Sequence, residues 1–320
     1  MLKKGVVYLG DIMQEKGIFL PDGTFESDKH IKRKLAGELP IMETPKKFPR
    51  SWTYYSDRFK KRQEQYLETS DVETDHVSIQ FKGDTILNFI GDAHIGHSLT
   101  HYNRLEQEIE TIVDTPNSYV VLLGDIIDGF FFNPAQMEEM EQVPEQYDYM
   151  KALVSHLANN RKLLIGFPGQ HEGWAKKMGL DPFMILSGIG AYYMQGVGHL
   201  TAKVDDQEYK ITMAHNFPGT SIRDNTWGAK RAGQEIQGAD VYINADSHKK
   251  GHSTQAIDMF GGESRVTHFV TIGPYKPSDE FARKLGFPQQ SPESMYGSAI
   301  KLLAKSKEVL YFNDVLKANE

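Results

Sequence analysis

The sequence predicts an α/β protein, on two observations. From Val77 onward, short apolar segments with strand character alternate with helical stretches, and the apolar segments end on acidic, imidazole or amide side chains. The segment D-T-I-L-N-F-I-G-D reads as a strand, Leu99 to Asp114 as a helix, S-Y-V-V-L-L-G-D as a strand, Tyr147 to Asn159 as a helix, and R-K-L-L-I-G-F-P-G-Q as a third strand. That βαβαβ order implies parallel strands joined by right-handed crossovers, with a site at the carboxyl ends of the strands. His199 to Val204 and Tyr209 to His215 read as a hairpin turning at Asp205-Asp206, V-Y-I-N-A-D-S-H-K-K opens on another strand, and Arg265 to Gly273 reads as a strand of a second sheet. Residues 1–78 are polar and broken, with turn signals at Pro21 to Gly23 and a short helix over Tyr55 to Leu67. They read as an appendage to a main domain over residues 79–320.

Composition narrows the chemistry. The 320 residues include no cysteine, which removes disulfides, thiolate metal sites and a cysteine nucleophile, so any metal is held by His, carboxylate, amide or water. No run of about 18 apolar residues offers a membrane span, and the N-terminus shows no small-residue cleavage pattern. The expectation is a cytoplasmic protein with no membrane partner. A net charge of −7 gives no global attraction to polyanions, which leaves nucleic-acid contact to local basic patches.

The strand ends carry the functional signal. The first delivers Asp92 and His94, the second Asp125 and Asp128, and the third Gln170, His171 and Glu172. The hairpin delivers His215, and the V-Y-I-N strand delivers Asp246 and His248. Each motif alone also fits a capped turn. Five of them converging on one edge of a sheet fit a metal site, because buried charges of this kind are costly unless paired or metal-bound. An all-oxygen-and-nitrogen donor set suits Mn, Fe, Zn or Mg rather than a structural thiolate cage.

In this order Gly91-Asp92-Ala93-His94, Gly124-Asp125-Ile126-Ile127-Asp128-Gly129, Gly169-Gln170-His171-Glu172, His215 and Ala245-Asp246-Ser247-His248 resemble the motif series of the calcineurin-like metallophosphoesterases: GDxH, GDxxD, GNH(D/E), H and GHxH. The resemblance spans about Thr85 to Lys250. It implies a four-layer α/β/β/α sandwich, a dinuclear centre at the sheet edge, and phosphoester hydrolysis. Carried over by motif, Asp92, His94 and His248 would hold one ion and Asp125 would bridge. His215, Gln170 and Asp246 would hold the second. His171 would act on the scissile phosphate as general acid or transition-state stabiliser, oriented by Asp128 or Glu172. Two cations about 3.5–4 Å apart clamp phosphoryl oxygens and lower the pKa of water toward neutrality. Manganese heads the implied metals, with Fe, Zn, Mg and Ni open.

Two departures fall on the second ion. Gln170 stands where the family has Asn and Asp246 where it has His, while Ala245 replaces a glycine, tolerable where φ is negative. Either the second site still binds with a harder, oxygen-rich set favouring Mn or Mg over Zn, or it is weakened. His97 and His101 read as solvated histidines at a helix start rather than pocket lining, while His199 and His252 lack a second ligand at useful spacing and His252 reads as exposed. Arg223, Lys230 and Arg231, in the segment following His215, are candidate contacts to substrate phosphate or a nucleotide strand, and Phe130 to Phe132 follow the bridging aspartate where the protein phosphatases carry an arginine. Basic pairs at Lys176-Lys177, Lys230-Arg231 and Lys249-Lys250 favour a phosphodiesterase or nuclease, with nucleic acid or nucleotide as partner. A phosphomonoesterase is the alternative, and a catalytically degenerate binding module with one ion or none is the third reading.

Overall fold

The computed structural model describes residues 17–19, 25–27, 52–69, 75–129, 140–177, 190–258, 264–278, 284, 286 and 289–320. The chain divides into two compact units, Met1–Ser70 and Asp71–Glu320. In the first unit, β1 (Gly17–Phe19) and β2 (Phe25–Ser27) pair antiparallel on either side of the Pro-Asp-Gly signal. Helix α1 (Trp52–Thr69) exposes Trp52, Tyr55 and Phe59 at spacings of three and four, one stripe along its surface.

The second unit is built from β3 (His76–Phe81), β4 (Thr85–Ile90), α2 (Tyr102–Asp114), β5 (Ser118–Leu123), α3 (Val143–Asn159), β6 (Leu163–Phe167), α4 (Gln170–Lys177) and β7 (Tyr192–Tyr193). It continues with β8 (Val197–Val204), β9 (Gln207–Ala214), α5 (Trp227–Glu235), β10 (Val241–Asn244), β11 (Gly251–Asp258), β12 (Ser264–Thr271), β13 (Ser298–Leu302), β14 (Val309–Phe312) and α6 (Val315–Ala318). Among the described residues these strands form two six-stranded sheets, ordered β14-β13-β4-β5-β6-β7 and β11-β12-β10-β9-β8-β3. β4 to β7 run parallel, as do β9, β10 and β12. Strands β13 and β14 join antiparallel at one edge.

The reason for two sheets is visible in burial. Every residue of β4 is buried, because Leu87 and Phe89 face the other sheet while Ile86, Asn88 and Ile90 face the helical side. Phe89, Leu123, Phe167, Ile211, Ile243 and Val270 belong to one inter-sheet core. On the far side of the first sheet, α2 presents Leu105, Ile109 and Ile112, and α3 presents Met150, Val154 and Leu157. On the far side of the second, Ala229 and Ala232 of α5 pack on Tyr242 and Phe269. The order of layers is helix, sheet, sheet, helix, the four-layer sandwich expected.

The boundaries differ from the sequence reading in three places. Strand β3 begins before residue 79 and pairs in parallel with β8, so it is part of the second unit. Helix α3 starts at Val143 because Pro144 occupies its first turn, where a missing N–H costs nothing. Strands β11 and β13 carry mixed polar and apolar residues with no clean alternation, and β14 is a run of only four apolar residues, so pairing rather than pattern makes them strands. Among the described residues no helix is long and apolar enough to cross a membrane.

Candidate metal centre

The loops leaving β4 and β5 continue to bond to one another beyond the sheet. Asp92 N donates to Gly124 O (3.0 Å), His94 N to Asp125 O (3.0 Å) and Ile95 N to Ile126 O (2.7 Å). This zipper forces left-handed backbone at the residues that carry the chemistry: φ is +49° at Asp92, +50° at His94 and +49° at Asp125. The second Asp-x-His segment repeats the geometry, with Asp246 at +64° and His248 at +51°. Asp and His are among the side chains that tolerate this region, and such strain concentrates at functional sites. Ala245 is not among the residues with positive φ, which is why a side chain is accepted there.

Three oxygen and nitrogen donors meet on one side. His94 Nε2 lies 3.1 Å from His248 Nε2, and His248 Nε2 lies 3.8 Å from Asp92 Oδ1. His94 Nδ1 is 2.6 Å from Asp128 Oδ1, so the carboxylate holds the tautomer that leaves Nε2 facing its partners. On the other side, His215 Nδ1 donates to Leu123 O (2.6 Å), which turns Nε2 toward Asp125 Oδ2 (3.3 Å) and Asp246 Oδ1 (3.6 Å). Asp246 N donates to Asp92 Oδ2 (3.0 Å), tying the two halves together.

These residues fit divalent cations. Asp92 is fully buried, and among the described residues its Oδ1 has no hydrogen-bond donor. Burial pushes its carboxyl well above the ordinary range; His215 opposes this, and Asp125 and Asp246 add to it. Burial resists charge on His215 too, yet Asp125 and Asp246, with Asp92 behind them, push its imidazole up to about 12. The same carboxylates would favour a divalent cation, which would take the place of that proton on His215.

Gln170 and Asp246, the two departures from the motif series, touch: Gln170 Nε2 donates to Asp246 Oδ1 at 3.3 Å. The additional methylene carries the amide to the neighbouring carboxylate. His171 sits between the two donor groups. Its N–H donates to Asp125 Oδ1 (2.9 Å), its Nδ1 bonds the backbone carbonyl of Asp128, and its Nε2 lies 3.9 Å from Asp125 Oδ2.

Of the two residues expected to orient His171, Asp128 bonds it through its backbone carbonyl, and Glu172 bonds the surrounding backbone instead. The Asp128 carboxylate is engaged by His94 and by Lys276 Nζ (3.1 Å), leaving its carbonyl for His171. Glu172 points away, accepting from the N–H groups of Asp125 (2.8 Å), Ile126 (2.7 Å), Ile127 (3.1 Å) and Gly169 (2.8 Å). It fixes two loops by their backbones, because a buried carboxylate needs donors and these loops have unpaired ones. Lys230 is paired with Asp224 (2.7 Å), in the loop before α5, and Arg231 with Glu235 (2.9 Å) within it, while Arg223 is exposed in that loop.

Sequence reading missed Lys276. It is 3% exposed, follows β12 in G-P-Y-K, and no motif marks it; the sole signal is its place after a strand. His97, read as solvated, is buried, with Leu99 N donating to its Nδ1 (3.0 Å), and His101 Nδ1 bonds Tyr296 OH (2.9 Å). His199 is half-buried against Thr212, whereas His252 is exposed but bonded to His268. Phe130 to Phe132 and the side chains of Lys176 and Lys177 lie outside the described residues. Beside the centre opens a cleft of about 700 Å³ lined by Asn225, Asp246, His248, Lys249, Lys276 and Gln290. Gln290 Nε2 donates to His248 O (2.6 Å), so the segment after β12 braces the loop after β10.

No protein-family model and no curated protein matches the sequence. Solved structures resemble the chain at low identity. A metallophosphoesterase from Sphaerobacter thermophilus has 11% identity, with 71% of this chain and 87% of that one covered and a TM-score of 0.37. A protein from Streptococcus pneumoniae described as a predicted phosphoesterase has 12% identity, 71% and 98% coverage, and a TM-score of 0.33. Vps29 from Entamoeba histolytica, solved with zinc, has 11% identity, 71% and 97% coverage, and a TM-score of 0.33. The four layers, the parallel strand order and the five strand-end loops meeting at one edge are, within this chain itself, the metallophosphoesterase type of fold that the motif order implies.

Proposed function

We propose that the chain is a metal-dependent phosphoester hydrolase with a dinuclear centre, acting on phosphodiesters. The observation that carries this reading is the convergence of Asp92, His94 and His248 on one side and Asp125, His215 and Asp246 on the other, with His171 between them. Cations held by these two sets would supply Lewis-acid polarisation of phosphoryl oxygens and a lowered pKa for water.

The remaining chemistry belongs to the chain. Asp125 is oriented by the His171 N–H through one oxygen and offers the other to the centre. Asp128 and Leu123 O fix the tautomers of His94 and His215, so both present Nε2. Because His171 Nδ1 is occupied by the Asp128 carbonyl, the proton it moves is the one on Nε2, the nitrogen that faces the centre. The adjacent cleft gives the second ester substituent of a diester a place to lie, with the cation of Lys249 beside it. With Lys230 paired to Asp224 and Arg231 to Glu235, a small diester or a short single strand suits the site better than a long duplex.

The test compares bis-p-nitrophenyl phosphate, p-nitrophenyl phosphate and single-stranded DNA with the metal-loaded chain. Turnover of the diester supports the reading. Turnover of the monoester alone replaces it with a phosphomonoesterase, and no turnover with any divalent metal leaves a degenerate binding module.

A further inference from the structure

We infer that helix α1 is a docking site for single-stranded nucleic acid, whose bases stack on Trp52, Tyr55 and Phe59 while Arg58 and Arg62 hold its phosphates. This deepens the phosphodiester reading above by naming the substrate class, and it rests on that reading only for the fate of the bound strand.

The first observation is an aromatic row left in water. Trp52 is 78% exposed, Tyr55 39% and Phe59 60%, and with Ser56 and Gln63 they line one surface groove. Exposed apolar side chains scattered singly need no explanation, whereas a contiguous exposed patch marks a surface that meets something. From Trp52 to Phe59 the helix rises about 10 Å, the length of about three nucleotides at about 3.4 Å each. From Trp52 to Glu64 it has no aliphatic residue. A helix that lies in a membrane surface buries aliphatic and aromatic bulk together, whereas a nucleobase asks only for a flat π-face.

The second observation is charge. Residues 45–62 hold seven Lys or Arg and one Asp, a local net charge of +6 in a chain whose formal net charge is −7. A basic segment on an acidic chain is the electrostatic footprint of a polyanion site. Within the helix the charges are sorted. Arg58 follows Tyr55 by three residues, and Arg62 follows Phe59 by three and Arg58 by four, so both arginines stand beside the aromatic row, and both are exposed. Asp57 and Glu64, seven residues apart, share a different face, and Asp57 pairs with Lys60 at 3.9 Å. Arginine beside aromatic rings suits a single strand, because its planar fork bonds phosphate in bidentate fashion and also stacks on bases. Rings and guanidinium groups side by side match a strand in which bases and phosphates alternate.

The test titrates a fluorescently labelled oligothymidylate of about twelve nucleotides with the full-length chain in chelator, so that anisotropy reads binding without hydrolysis. The expected result is binding that weakens linearly with the logarithm of salt concentration and exceeds that of a duplex of the same length, whose bases are already stacked. Trp52→Ala and Phe59→Ala should each weaken it about fivefold or more. The double variant Arg58→Gln, Arg62→Gln should lower the salt slope by about 1.4, at about 0.7 for each phosphate contact of a single strand. A thermal unfolding transition at the wild-type temperature shows that each variant is folded. Absence of strand binding by the wild type, or unchanged affinity in both aromatic variants, overturns the inference and leaves the hydrolase reading standing. Binding of phosphatidylcholine–phosphatidylserine vesicles in place of the strand also overturns it, as does a dimer that Trp52→Ala dissociates. Strand binding by a wild-type chain that turns over no diester supports the docking site and removes the hydrolase reading alone.

Discussion

Asp125 uses both of its oxygens, one on the His171 N–H at 2.9 Å and one toward His215 Nε2 at 3.3 Å. Burial opposes its ionisation, but the His215 contact and the charges of His171, His215 and His94 hold its carboxyl below the usual range, so it is an anion in service. Asp125→Asn removes that charge and is expected to strip metal and reduce diester hydrolysis by roughly a thousand-fold or more, the scale seen when one member of a cooperating set is removed. Elemental analysis beside a turnover assay checks both. His171→Ala should behave differently: turnover falls about 10²–10⁴-fold, as for loss of a general acid, and metal content stays intact. Metal lost from that variant would make His171 a ligand. Lys276 neutralises Asp128 from a fully enclosed position. Lys276→Met leaves Asp128 anionic and buried, a change worth about 3–5 kcal/mol of stability. Lys276→Arg should recover part of it, as read by denaturant unfolding and by zinc affinity.

At the scale of elements, the centre is assembled by loops that are rigid because their backbones are bonded. Glu172, in the first turn of α4, gathers four N–H groups from the loops after β5 and β6. Asp125 Oδ1 in turn accepts from the first turn of the same helix, where the helix dipole favours an anion. Gly169 has to be glycine for this: a Cβ there would overlap Asp125 Oδ1 and its backbone nitrogen. Gly169→Ala should therefore displace the Asp125 carboxylate, lowering metal affinity more than about tenfold and stability by about 1–3 kcal/mol through overpacking. Isothermal titration and thermal unfolding separate the two effects. Helix α2 shows a second kind of support. Buried Glu108 accepts from Arg104 (2.7 Å) and from the Tyr275 hydroxyl, which fixes the segment that carries Lys276.

At the scale of the molecule, the inter-sheet core brings β4, β5 and β6 over β9 and β10, so that loops from both sheets open at one edge. Contacts of the chain concentrate within 71–320, which contains every residue of the centre. Residues 71–320 expressed alone are expected to unfold cooperatively and to bind metal in the same ratio as the full chain. A metal at a hundred times its Kd should stabilise that fragment by about 2.7 kcal/mol, reversed by chelator. Calorimetry with and without metal measures this, and a fragment that fails to fold would show that residues 1–70 are needed.

The sequence by itself determined the fold class, the βαβαβ succession of the central strands and the ten side chains at the strand ends, because apolar runs that end on Asp, His, Gln and Glu leave few arrangements that neutralise them. It also marked Gln170 and Asp246 as departures. Only the tertiary structure decided that these two touch, that Glu172 serves backbone rather than His171, that Lys230 and Arg231 are paired with Asp224 and Glu235, and that Lys276 completes the Asp128 pair. The physical reason is range. Strand and helix signals are local, whereas the Gln170–Asp246 and Lys276–Asp128 contacts join loops of the two sheets and Glu172 joins loops of neighbouring strands, where direction and distance are set by packing and not by neighbours in the chain.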